Sequence, residues 1–278
     1  MRAADRIHPT LCLAAVLALA LAACQSARSP GTPVSVDAAA ASETNIESLS
    51  AVIQREAGNA EAYNVRGSAY GRAGKYREAI ADFNKAIEID ANFARAYANR
   101  ALVHRRNGDI RQAAEDYNRA ISADPRYGPA YVGRGNIYRQ NGRLDLALAD
   151  YNAAIQFDPT DPQAFHNRGL VYQAQSQHQQ AIEDFTTAIG LSPRTAEPYD
   201  GRGLSYLALG DARAALDDFN EAVKRDSSSY TAWTNQGLAL EALGDRQKAF
   251  AAFSRAANIN SSYQPAKEGM RRTQGAAS

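Results

Sequence analysis

Between Ala60 and Tyr263 the apolar positions repeat six times with a period of 34 residues and no insertion or deletion. Within each unit they fall three, four and seven residues apart, the spacing of one face of an α-helix, in two runs separated by a short polar turn. Counting places from the first residue of each unit, an aromatic stands fourth (Tyr63, Tyr97, Tyr131, Phe165, Tyr199, Trp233) and a small residue eighth (Gly67, Ala101, Gly135, Gly169, Gly203, Gly237). Ala stands twentieth (Ala79, Ala113, Ala147, Ala181, Ala215, Ala249) and twenty-seventh (Ala86, Ala120, Ala154, Ala188, Ala222, Ala256), and an aromatic twenty-fourth (Phe83, Tyr117, Tyr151, Phe185, Phe219, Phe253). The pattern predicts two amphipathic helices per unit. Small residues let them approach closely, and aromatics fill the space beside them.

Turn signals fall where this reading needs them. Gly74, Gly108, Gly142, Gly210 and Gly244 separate the two helices, a position suited to a left-handed backbone, and Ser176 takes that place in the fourth unit as a costlier turn. Pro125, Pro159 and Pro193 stop the second helix. Before the first unit, Thr44 and Glu47 have the spacing of a capping box, and Ile46, Leu49, Val52 and Ile53 share one helical face. Residues 42–59 therefore read as a half-repeat, and residues 264–278 as a capping helix and tail, because terminal units need an atypical outer face.

This set of columns resembles the tetratricopeptide repeat (TPR), whose signature is small residues eighth and twentieth, aromatics fourth, eleventh and twenty-fourth, and a late Pro. Departures are mild: the eleventh-place Tyr is His104 in the second unit and Leu240 in the sixth, and Ala91, Ser227 and Ser261 replace Pro. The resemblance implies an all-α fold, a right-handed superhelical solenoid of antiparallel helix pairs. Its six full repeats are 60–93, 94–127, 128–161, 162–195, 196–229 and 230–263, flanked by the half-repeat and the capping helix.

The amino end carries a different signal. Arg2 and Arg6 precede an apolar run from Leu11 to Ala22 that is too short to span a bilayer, so residues 1–23 read as a secretory signal peptide. Leu21-Ala22-Ala23-Cys24 resembles a bacterial lipobox, which implies lipidation of Cys24; the alternative is an ordinary signal-peptidase site near Ala20-Leu21-Ala22. Gln25 after the Cys, rather than Asp, resembles the sorting rule for the periplasmic side of the outer membrane. Residues 24–41 are too poor in large apolar side chains to pack and read as a flexible tether reaching about 20–25 Å.

Composition narrows the function classes. The formal net charge of +1 becomes zero once Arg2, Asp5 and Arg6 are removed, which leaves no overall field for nucleic acid. Cys12 and Cys24 are the only cysteines, and neither lies in the mature solenoid, so no disulfide is expected there. His104, His166 and His178 occupy different places in their repeats, and no phosphate loop or nucleophile elbow occurs. No catalytic residue, metal site or cofactor is assigned, and no residue pattern specifies an oligomeric state.

Two charged columns vary together. Seventh in the units stand Arg66, Arg100, Arg134, Arg168, Arg202 and Gln236; twenty-third stand Asp82, Asp116, Asp150, Asp184, Asp218 and Ala252. Arg and Asp come together in five units and vanish together in the sixth, which predicts an Arg–Asp bridge between the two helices of each unit.

The resemblance further implies that first helices line an inner groove that binds partner segments. Carried onto this chain, the lining includes Arg72, Arg95, Asn99, Arg105, Arg106, Asn136 and Arg139 in the basic half. Asn167, Leu204, Leu207 and Leu238 continue it toward an acidic-apolar half. The carboxylate clamp of some TPRs is not assigned: Asn136 and Asn167 match it, but Val132, Glu197 and Gly201 do not. The expected function is a non-enzymatic periplasmic scaffold anchored in the outer membrane by its acylated Cys. In architecture it is similar to NlpI-like lipoproteins, which link envelope proteases or cell-wall hydrolases. The alternatives are a pilotin-type lipoprotein assisting secretin or pilus assembly and, from another class, a peptidoglycan or small-ligand receptor or enzyme.

Overall fold

The computed structural model describes residues 43–275. The expected signal peptide, Cys24 and the expected tether lie outside the described residues. Fourteen α-helices and no strand occur among the described residues. A single helix, α1 (Glu43–Arg55), leads into six pairs. The first three pairs are α2 (Ala60–Arg72) with α3 (Tyr76–Ile89), α4 (Ala94–Asn107) with α5 (Ile110–Ala123), and α6 (Gly128–Gln140) with α7 (Leu144–Phe157). Then come α8 (Pro162–Ala174) with α9 (His178–Leu191), α10 (Glu197–Ala208) with α11 (Ala212–Arg225), and α12 (Tyr230–Ala242) with α13 (Arg246–Ile259), closed by α14 (Gln264–Thr273). α1 begins at Glu43, one residue before Thr44.

Each helix packs on its neighbours in sequence, and first helices of consecutive units also touch one another. Second helices make no comparable contact among themselves, so first helices line the inner surface of the solenoid. No described helix is long and apolar enough to cross a membrane.

Local chemistry fixes the joints. The inter-helix glycines all have positive φ, and Ser176 is the only described residue other than glycine that does, at 60°. Each second helix closes at the thirty-first place, where in five units a carboxylate or amide oxygen turns back on the backbone two residues later. Asp90 accepts from the Asn92 amide, Asp226 from that of Ser228, and Asn260 from that of Ser262. This turn explains why Ala91, Ser227 and Ser261 can replace Pro without lengthening the helix.

The core is a row of twenty-fourth-place rings. Phe83, Tyr151, Phe185, Phe219 and Phe253 are wholly buried and Tyr117 nearly so. Ile46 and Ile53 of α1 are buried against the first unit, whereas Val52 is 40% exposed and does not join them. Gly133 at the sixth place makes a further demand: a Cβ there would lie 2.2 Å from Cζ of Tyr117 in the preceding unit. Gly201 stands in the same relation to Phe185.

Candidate functional site

Two polar systems run along the solenoid. In the first, each seventh-place Arg donates twice to the Asp of its own unit. Arg134 reaches Asp150 from Nε at 2.9 Å and from Nη2 at 2.7 Å, and Arg66, Arg100, Arg168 and Arg202 repeat the geometry. The Asp side chains are 5–8% exposed and the Arg side chains 12–21%. The remaining Nη1 crosses to the unit before. Arg66 donates to Ser50, Arg100 to Asn84, Arg134 to Asn118, Arg168 to Asn152 and Arg202 to Thr186. Every one of those acceptors stands at the twenty-fifth place.

Gln236 keeps the second half of this arrangement after losing the first, donating to Asn220 at 2.7 Å. At the next step Met270 holds the seventh place and donates nothing, and the Ser254 hydroxyl is buried without a partner. Aromatics flank the guanidiniums. Arg134 lies 5.7 Å from the Tyr131 ring and 5.9 Å from Tyr138, and Arg66, Arg168 and Arg202 are held in the same way. The hydrogen bond to Asp150 raises the Arg134 pKa further, against the opposing effect of burial. These residues form the spine of the solenoid and leave its groove free.

The second system is the groove itself. Several residues expected to face a ligand are engaged with neighbours in their own or the preceding unit. Arg95 pairs with Glu61 at 2.9 Å, and Asn99 donates to Asn64 at 2.9 Å and to Ser68 at 3.3 Å. Asn136 accepts from the Tyr151 hydroxyl at 2.9 Å. Leu204 and Leu207 pack on the cluster around Phe219, and Leu238 on that around Phe253, so all three are half-buried. Arg72 and Arg106 are exposed and Arg105 half-buried. At the far end Arg272 of α14 holds Glu241 through two hydrogen bonds of 3.0 and 2.8 Å.

The middle of the groove differs from its ends. Nε of Arg139 and Nδ1 of His166 are buried with no hydrogen-bond partner. Burial lowers the His166 pKa; Glu197 partly offsets this and Arg139 reinforces it, so these three groups share one region. Burial pushes the Tyr151 hydroxyl up to about 12, opposed by Arg139 and Arg105. Asp200 accepts from Asn235 at 2.9 Å, and burial raises its pKa. Asn167 bonds the Gln163 carbonyl of its own helix at 2.8 Å. Cavities of about 350 and 230 Å³ open here, and His166 and Glu197 border both.

Two signals in the sequence point to this arrangement beyond the columns read above. The twenty-fifth place carries Ser50, Asn84, Asn118, Asn152, Thr186 and Asn220, a polar series matched to the Arg column. From the second unit to the capping helix the sixth place alternates Asn99, Gly133, Asn167, Gly201, Asn235 and Gly269, which gives this part of the inner surface a period of two units; the first unit has Val65 there. Gly admits the preceding ring. Asn99 and Asn235 instead bond groove residues of the unit before.

A helix-pair solenoid with a polar inner surface defines the class of repeat scaffolds that bind other proteins. Family models described as "TPR repeat" match residues 67–108 and 135–176, and "Tetratricopeptide repeat" models match 94–127, 162–195 and 201–265. The chain belongs to the tetratricopeptide-repeat family. Among solved structures it is similar to the APC/C hetero-tetramer Cut9-Hcn1, at 21% identity and a TM-score of 0.74, over 84% of this chain and 46% of that one. It therefore spans just under half the length of that chain. Pseudomonas aeruginosa pilF matches at 20% identity and a TM-score of 0.70, over 77% of this chain and 97% of its own. PilW, described as a widely conserved type IV pilus biogenesis factor, matches at 18% identity and a TM-score of 0.67, over 75% and 97%. A comparison with curated proteins finds no match.

Proposed function

We propose that the protein is a non-enzymatic adaptor that holds a segment of a partner protein in the groove lined by its first helices, while an acylated Cys24 tethers it to the periplasmic side of the outer membrane. The observation that carries the groove reading is a pair of unanswered polar atoms at its centre. Arg95 pairs with Glu61 and Arg272 with Glu241 across units at the ends, and Asn235 with Asp200 beside the centre, yet Nε of Arg139 and Nδ1 of His166 are buried without partners. Buried polar atoms without partners cost stability, and a bound segment would supply them. The anchor rests on the Leu21-Ala22-Ala23-Cys24 motif. The partners that suit such an adaptor are envelope proteases or cell-wall hydrolases.

A photo-reactive residue placed at Asn167 should crosslink a discrete envelope protein in cells, while one at Lys85, on a second helix, should not. Equal labelling from both positions contradicts the groove reading. A second reading, a pilotin-type role in pilus or secretin assembly, draws support from fold likeness to pilF and PilW over nearly their whole length. Loss of surface pili on deletion of the gene would favour it.

A further inference from the structure

The 230 Å³ cavity lined from α8, α10, α11 and the start of α12 brings apolar and acidic side chains together. Leu170, Leu204 and Ala232 form part of its sides, and Asp200, Glu197 and His166 stand around it. Asp200 forms no ion pair among the described residues; its hydrogen bond comes from the neutral amide of Asn235. Burial and the nearby charge of Glu197 both disfavour its ionised form. Asp200 is half-buried, and the more deeply buried Asp residues of the five Arg–Asp rungs are each answered by an Arg with two hydrogen bonds. An inward-facing carboxylate left without a cation costs stability, and such a cost persists where the group has work to do in a complex.

We infer that this cavity is a specificity pocket for one Lys or Arg side chain of the segment bound in the groove. The aliphatic stem would lie on Leu170 and Leu204 and the charged head would reach Asp200 and Glu197. Both long basic side chains combine an apolar stem with a cationic tip, and the pocket offers a surface for each. The arrangement also sets direction. Arg139 and Arg105 lie on the other side of His166, so an acidic group of the same segment would fall toward α4 and α6.

This inference rests on the groove reading above, and one experiment separates the two. Pools of nine-residue peptides, randomised except for a central Arg, Lys, citrulline or Glu, are immobilised and probed with the full chain. The Arg and Lys pools should retain at least about tenfold more protein than the citrulline and Glu pools. Asp200→Asn should abolish that preference while Arg105→Glu leaves it in place. Binding to all pools without preference for a cation, or a preference that survives Asp200→Asn, overturns the pocket and leaves the groove reading intact. Failure of every pool to bind overturns both. Circular dichroism of the folded Asp200→Asn protein guards against loss by unfolding, and Asp200→Glu, which keeps the charge, should retain part of the preference.

Discussion

Arg134 and Asp150 face each other across one helix pair in parallel, two-point geometry, while the third contact of the same guanidinium reaches Asn118 in the unit before. One side chain thus joins the helices of its own unit and ties that unit to its predecessor. Removing one partner of a buried pair strands the other charge. Arg134→Ala should lower stability by about 3 kcal/mol, toward the smaller end for buried pairs because the Arg is 21% exposed. Replacing both residues by apolar side chains of similar volume should restore most of it. A double-mutant cycle by chemical denaturation, fitted with a nearest-neighbour repeat scheme, measures the coupling, and a value near zero would contradict the pairing.

The cross-unit half of the ladder makes a separate prediction. Asn152→Ala removes the acceptor for Arg168 and should cost about 1 kcal/mol. Ser254→Ala touches the same place in the last unit, where the hydroxyl has no partner, and should be neutral or stabilising. Equal costs at the two sites would show that the hydrogen bond to Arg168 contributes nothing.

How much of this was legible beforehand depended on whether a residue's partner lies at a fixed distance along the chain. The helix pairs, their turns and the Arg–Asp pairing all recur at one offset, so a single chain displays them as columns. The link from Arg to the twenty-fifth place of the preceding unit is equally regular, but its acceptors are chemically mixed, Ser, Asn and Thr, and hide among surface polar residues. The groove was less legible. Arg95 and Asn99 face inward as their register requires, yet whether such a residue awaits a ligand depends on a neighbour such as Glu61 or Asn64 that follows no column. Val52 shares the helical face of Ile53 and still lies exposed, because α1 has no first helix to cover that side.

Stability should depend on Asp200 in a defined direction. Its folded-state pKa is raised, so the folded protein holds the proton more tightly than the unfolded chain. Stability from this group is therefore greatest at acid pH and is lost as pH rises through the folded pKa. Asp200→Asn should be more stable than the wild type at neutral pH, with the difference shrinking toward pH 4 or below. Thermal melts across that range measure it, and a difference that grows on acidification would contradict the burial argument.

Attachment to the membrane should follow Cys24 alone. Cys24→Ala should move the protein from the membrane fraction to the soluble periplasm with its helicity unchanged. Retention of the variant in salt-washed outer membrane would contradict a lipid anchor.

The most direct test of the central claim is charge reversal inside the groove, read out on the partner caught by the photo-reactive residue at Asn167. Arg105→Glu with Arg139→Glu should weaken binding of that purified partner about 30-fold, equivalent to about 2 kcal/mol, and change its salt dependence while leaving helicity nearly unaltered. The same reversal at Arg77 and Arg111, exposed on second helices, should leave affinity within about twofold. Equal losses from both pairs of substitutions, or no loss from either, would show that the inner surface of the solenoid is not where the partner binds.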